Sequence, residues 1–75
     1  MTFQELDTVV LRRDLPKYKL RRGDLGAIVM SHRSAFDVEF VRASGRTQAV
    51  VRLGRGTVRP VHDDDILSVR SAAQG

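Results

Sequence analysis

Six cations within residues 12–22, namely Arg12, Arg13, Lys17, Lys19, Arg21 and Arg22, are broken by a single acid, Asp14, and form the densest group of chemically capable side chains in this 75-residue sequence. Guanidinium and ammonium groups at that density suit phosphates or carboxylates. The segment reads in two ways: as an electrostatic footprint for an acidic protein or a nucleic acid, or as a solvated loop whose charge keeps a small protein soluble. Tyr18 is the only aromatic residue among these cations and the best available anchor for a partner. Nucleic-acid recognition also asks for stacking aromatics, and Phe36 and Phe40 are committed to a core by their alternation. Polynucleotide binding through this segment would therefore be nonspecific.

Other chemistry has less to stand on. The chain has no cysteine, its histidines His32 and His62 read as isolated loop residues, and no serine sits in a nucleophile-elbow context, so acyl transfer is not expected. Asp37 and Glu39 share one face of a strand, where carboxylates commonly solvate a sheet surface. Asp63, Asp64 and Asp65 lack the spaced acids and glycine of a calcium loop and read better as a cap or turn. Gly54 and Gly56 begin a phosphate-binding spacing, but the third glycine and the following helix are missing. The expectation is a protein that is not an enzyme and needs no cofactor or metal.

Composition limits what can position these residues. A 75-residue chain makes one domain at most and buries only about 60 to 65% of its unfolded surface, so its core is small. Apolar content of 41% beside 29% charged residues and a net charge of +4 is that of a globular domain, not a disordered one. No apolar run reaches the roughly 18 residues of a membrane span, and the N-terminal residues, with Glu5 and Asp7, do not read as a signal peptide. A cytoplasmic location is expected.

The hydrophobic pattern reads as strands throughout. Residues 7–11 (DTVVL) form a first β-branched strand, and Pro16 turns residues 12–24 into a long irregular loop pinned by Leu15 and Leu20. Gly23 and Gly26 bracket the turn into a second strand over residues 25–30; each can supply positive φ or a close approach. Phe36, Val38 and Phe40 alternate with polar positions in a third strand, and Gly45 turns the chain into a fourth over residues 47–53. A short fifth strand over residues 57–59 ends at Pro60, which suits an edge. A turn over residues 63–65 and a brief last strand over residues 67–70 follow, with residues 71–75 as a disordered tail and residues 1–70 as the domain. The expected core is Val9, Leu11, Ile28, Met30, Phe36, Val38, Phe40, Ala49, Val51 and Leu53. About five short strands with a long first loop and no amphipathic helix predict an all-β, SH3-like small barrel.

ELDTVVL at residues 5–11, DLP at 14–16, GDLGAIV at 23–29, FDVEFV at 36–41 and VRPV at 58–61 together resemble the bacterial family catalogued as domain of unknown function 4926. That resemblance implies an SH3-like barrel and, for some members, an antitoxin-like role beside a larger protein. The glycines of residues 54–57, ahead of VRPV, depart from the pattern and leave the path between the fourth and fifth strands open. Gly23, Asp24, Gly26 and Ile28 also resemble the strand entry of KOW-type barrels, which implies fold more than RNA binding. The function expected is a noncatalytic protein-interaction module, an antitoxin-like or accessory subunit, that docks an acidic partner through Arg12, Arg13, Lys17, Tyr18, Lys19, Arg21 and Arg22. A small nonspecific RNA- or DNA-binding barrel is the alternative, and the chain alone is expected to be a monomer or weak dimer.

Overall fold

The β-branched run after Asp7 forms strand β1 (Thr8–Leu11) in the computed structural model, which describes residues 3–4 and 6–74. It is followed by β2 (Leu25–Ser31), β3 (Ala35–Val41), β4 (Thr47–Gly54) and β5 (Val58–Pro60), with short 3₁₀ turns at Pro16–Tyr18, Arg55–Thr57 and Ala72–Gln74. The strands make one antiparallel sheet in the order β4-β3-β2-β1-β5. The expected all-β architecture with a long first loop is present.

Connectivity forces the sheet to curl. In a flat sheet the outermost strands of this order would lie about 19 Å apart, at roughly 4.8 Å per strand. Yet β4 ends at Gly54 and β5 starts at Val58, a span that covers at most about 14 Å even when fully extended. The sheet therefore coils into a barrel-like shape, closed at this corner by the Arg55–Thr57 turn. Gly54 and Gly56 supply that turn, which settles the path between the last two strands. Pro60 falls on edge strand β5, opposite Val9, where its missing N–H costs no central ladder bond.

Val9, Leu11, Ile28, Phe36, Val38, Phe40, Val51 and Leu53 are buried as their alternation predicts, and Ala49 packs against them half-buried. Met30 is the exception, at 52% exposed. Ile28 pairs with Val38, but Met30 already pairs with Asp37, so Val29 is an extra residue in β2. This bulge moves Met30 onto the outer face beside an aspartate. Leu20 and Val58 join the core instead. Val10, on the outer face of β1, is only 7% exposed because β1 is flanked on both sides and the C-terminal segment passes over it.

The brief strand expected over residues 67–70 does not form, although the turn at Asp63 and Asp64 does. Residues 61–71 run without ladder bonds as a strap, and Ile66 and Val69 on it are 91% and 99% exposed. What holds the strap is ionic. The Asp65 carboxylate takes two 2.9 Å hydrogen bonds from Arg59 and one from the His62 backbone N–H, and Arg70 reaches back to Asp24.

Candidate functional site

The cationic segment is not irregular. Gly23 donates to the Leu11 carbonyl at 2.8 Å and Leu11 to the Asp24 carbonyl at 2.9 Å, which closes the base of the loop and brings its two ends side by side. Further out, Leu15 and Leu20 pair backbone to backbone around the Pro16–Tyr18 turn. Leu20 is buried, so the pairing nails the loop to the core as expected. Lys19 occupies the left-handed region at φ 58° to end the turn, and Gly23 has φ 97°, so only one of the two bracketing glycines is needed for positive φ. The Gln48 amide donates to the Tyr18 carbonyl at 3.1 Å and ties the tip to β4.

The loop's two acids are engaged within the fold, Asp14 at the surface and Asp24 half-buried. Asp14 accepts from the Arg22 backbone N–H at 2.8 Å. Asp24 accepts from the Arg21 N–H at 2.8 Å, from Arg70 Nε at 2.8 Å and from a second Arg70 nitrogen, while Arg70 also donates to the Lys19 carbonyl at 3.0 Å. Burial alone would raise the Asp24 carboxyl pKa, but the hydrogen bonds from Arg70 and Arg21 and the charges of both outweigh it and lower it.

Arg12, Arg13, Lys17, Lys19, Arg21 and Arg22 are all exposed, and the folded-back loop sets the Arg12 and Arg13 side against the Arg21 and Arg22 side. Among the described residues the side chains of Arg12, Arg13, Lys19 and Arg22 have no acidic partner. Lys17 holds its ammonium 5.6 Å from the Tyr18 ring. Tyr18 is half-buried against the core, so one part of its ring remains for contact.

Several arginines outside the loop are engaged by their side chains, whereas Arg33 and Arg46 are exposed like those of the loop. Arg52 grips Asp37, Arg59 grips Asp65, Arg42 donates to Gln48 at 2.7 Å, and Arg55 lies 4.4 Å over the Phe36 ring. The residue missed by sequence reading is Arg70. Its partner Asp24 lies 46 positions away, and no local pattern marks such a pair.

His32 is not isolated. Its Nε2 donates to Asp37 at 2.9 Å, and Arg52 Nε donates to the other carboxylate oxygen at 2.9 Å, so the aspartate expected to be merely solvated is clamped between two strands and a turn. Thr47 donates to Glu39 at 2.6 Å, which occupies the second carboxylate of that face. The Arg52 and His32 hydrogen bonds lower the Asp37 pKa to about 2, below the ordinary aspartate value near 3.9. A depressed folded pKa gives stability that is present above the unfolded value and lost as pH falls through the folded one. The melting temperature is therefore expected to hold down to about pH 4 and to fall between about pH 4 and pH 2. Asp37→Asn should melt lower at neutral pH and lose less on acidification; an unchanged acid slope would remove Asp37 from the explanation.

The fold and this surface define a small all-β barrel with an ordered cationic loop. The chain belongs to the family described as domain of unknown function DUF4926, whose sequence profile matches residues 5–60. The match covers all five strands and the whole loop and stops where the strap begins. Neither curated proteins nor solved structures gave a match. Among the described residues no helix is long and apolar enough to cross a membrane.

Proposed function

We infer that this protein is a noncatalytic interaction module of the cytoplasm, an antitoxin-like or accessory subunit, whose first loop docks on an acidic surface of a partner protein. The observation that carries this reading is that Asp14 and Asp24 are spent on hydrogen bonds within the fold, while the exposed side chains of Arg12, Arg13, Lys19 and Arg22 have no acidic partner among the described residues, on a backbone that is already ordered. An ordered loop loses little conformational freedom on docking, and its charge accelerates encounter with an oppositely charged surface.

A protein partner is favoured over a polynucleotide by the aromatic side chains. Phe36 and Phe40 are buried, Phe3 packs edge-on against Phe36 at 5.2 Å, and Tyr18 is half-buried, so no exposed pair of rings is left as a stacking platform. Alone, the chain is a monomer or a weak dimer.

The test is a charge reversal at two loop positions without acidic partners, Arg13→Glu with Arg22→Glu. Capture of the partner from native host extract should be lost while the circular dichroism spectrum is kept, and wild-type affinity for mixed polynucleotides should be negligible near physiological salt. Tight polynucleotide binding whose logarithm falls by about 0.7 to 0.9 per contacted phosphate per decade of salt, and which the reversal abolishes, would replace this reading with the nucleic-acid one.

A further inference from the structure

A groove of about 890 Å³ lies between the outer face of the sheet and the strap. Its floor carries the outward-facing apolar side chains Val10, Leu25 and Val41, and Val41 is 50% exposed there. The strap forms the opposite wall and carries Ile66, Leu67 and Val69 with most of their surface in water. Both ends of that wall are fixed, by Asp65 on Arg59 and by Arg70 on Asp24. A cleft of mixed lining, with apolar residues on floor and strap among charged and polar ones and its strap tied by ion pairs, can seat apolar side chains beside charged ones.

The charge on its rim selects the occupant. Asp24 and Asp65 line the groove but are consumed by Arg70 and Arg59, whereas Lys19 and Arg42 line it without an acidic partner among the described residues. Lys19 also belongs to the cationic loop, so the groove and the loop form one continuous surface.

We propose that this groove takes a short acidic segment of the partner protein, with large apolar side chains seated between the sheet and the strap and carboxylates facing Lys19 and Arg42. The assignment rests on the reading of the loop as a docking surface and adds what sits beside it. The loop attracts and orients through charge; the groove supplies the apolar burial that slows dissociation.

The probe is a fluorescently labelled peptide of mixed glutamates and leucines, titrated by anisotropy beside an all-glutamate peptide of equal length. The mixed peptide should bind at least about tenfold tighter. Val41→Asp, at a half-exposed position outside the core, should weaken it about tenfold or more with no change in melting temperature, and Arg42→Glu should weaken it as well. Arg70→Ala, which frees one end of the wall, should speed dissociation of the mixed peptide and leave that of the all-glutamate peptide unchanged. Arg13→Glu with Arg22→Glu separates the two ideas. If both peptides bind equally, are indifferent to Val41→Asp and are lost on the loop reversal, the groove is overturned and the loop reading stands. If the mixed peptide fails to bind the wild type, the groove is overturned outright, and capture of the partner judges the loop by itself.

Discussion

Phe36→Ala is expected to cost about 3 to 5 kcal/mol, the range for emptying a buried phenylalanine site. A chain of 75 residues has roughly 4 to 11 kcal/mol of total stability, so much of the population should be unfolded near the parent's melting onset. Phe36 is the largest of the fully buried side chains and sits where three parts of the chain meet. Phe3 packs edge-on against it, Arg55 from the β4–β5 corner covers its face at 4.4 Å, and its own strand pairs it with Leu53 and Ser31. Alanine removes the ring and leaves both the aromatic neighbour and the guanidinium without their contact. Phe36→Leu should recover part of the loss by filling volume, and Arg55→Ala should cost about 0.5 to 2 kcal/mol as the cation contribution alone. Urea unfolding gives the numbers. A midpoint for Phe36→Ala equal to the parent's would show that this ring does not hold the corner.

Gly26→Ala is the second large effect, and it acts through space rather than through backbone conformation. A Cβ at Gly26 would lie 2.5 Å from Val38 Cγ1 and 3.0 and 3.1 Å from two carbons of the Phe40 ring. Overpacking of this kind costs about 1 to 3 kcal/mol, because Val38 and Phe40 are buried and have little room to retreat. Gly23 is the opposite case, with nothing within 4 Å and a φ of 97°, so an alanine there is penalised by the backbone. The two mechanisms part in a double-mutant cycle. Val38→Ala should rescue part of Gly26→Ala by removing the clashing methyl, and should do nothing for Gly23→Ala. Additivity in the first pair would mean that the clash is relieved elsewhere.

Local pattern carried most of the strands. Phe36, Val38 and Phe40 announce an inner face because side chains alternate across a strand whatever its neighbours do, and Ala49, Val51 and Leu53 repeat the signal in the strand that pairs with them. Pro60 announces an edge, since its missing N–H acts at its own position. The cationic loop was legible for the same reason: six charges adjacent in sequence stay adjacent in any fold that keeps the segment together.

What the sequence could not declare depended on partners far along the chain. Alternation carried past Val29 puts Met30 inside, and only the register of β2 against β3 shows the extra residue that turns it out. His32 reads as isolated and Asp37 as a carboxylate that solvates the sheet beside Glu39, and only the fold sets His32 and Arg52 on the two oxygens of Asp37. Gly26 is constrained by the side chains of another strand and Gly23 by its own positive φ, and nothing in the local sequence tells the two apart. The strap has the apolar residues of a strand at Ile66, Leu67 and Val69, yet it makes no ladder bonds, and the pairs of Asp65 with Arg59 and of Arg70 with Asp24 hold it by charge instead. Hydrophobic periodicity is written into each segment by the pleat of the backbone. Registers, clefts and long-range ion pairs exist only once the segments have packed, and in this chain they decided which acids are consumed and which cations are left facing outward.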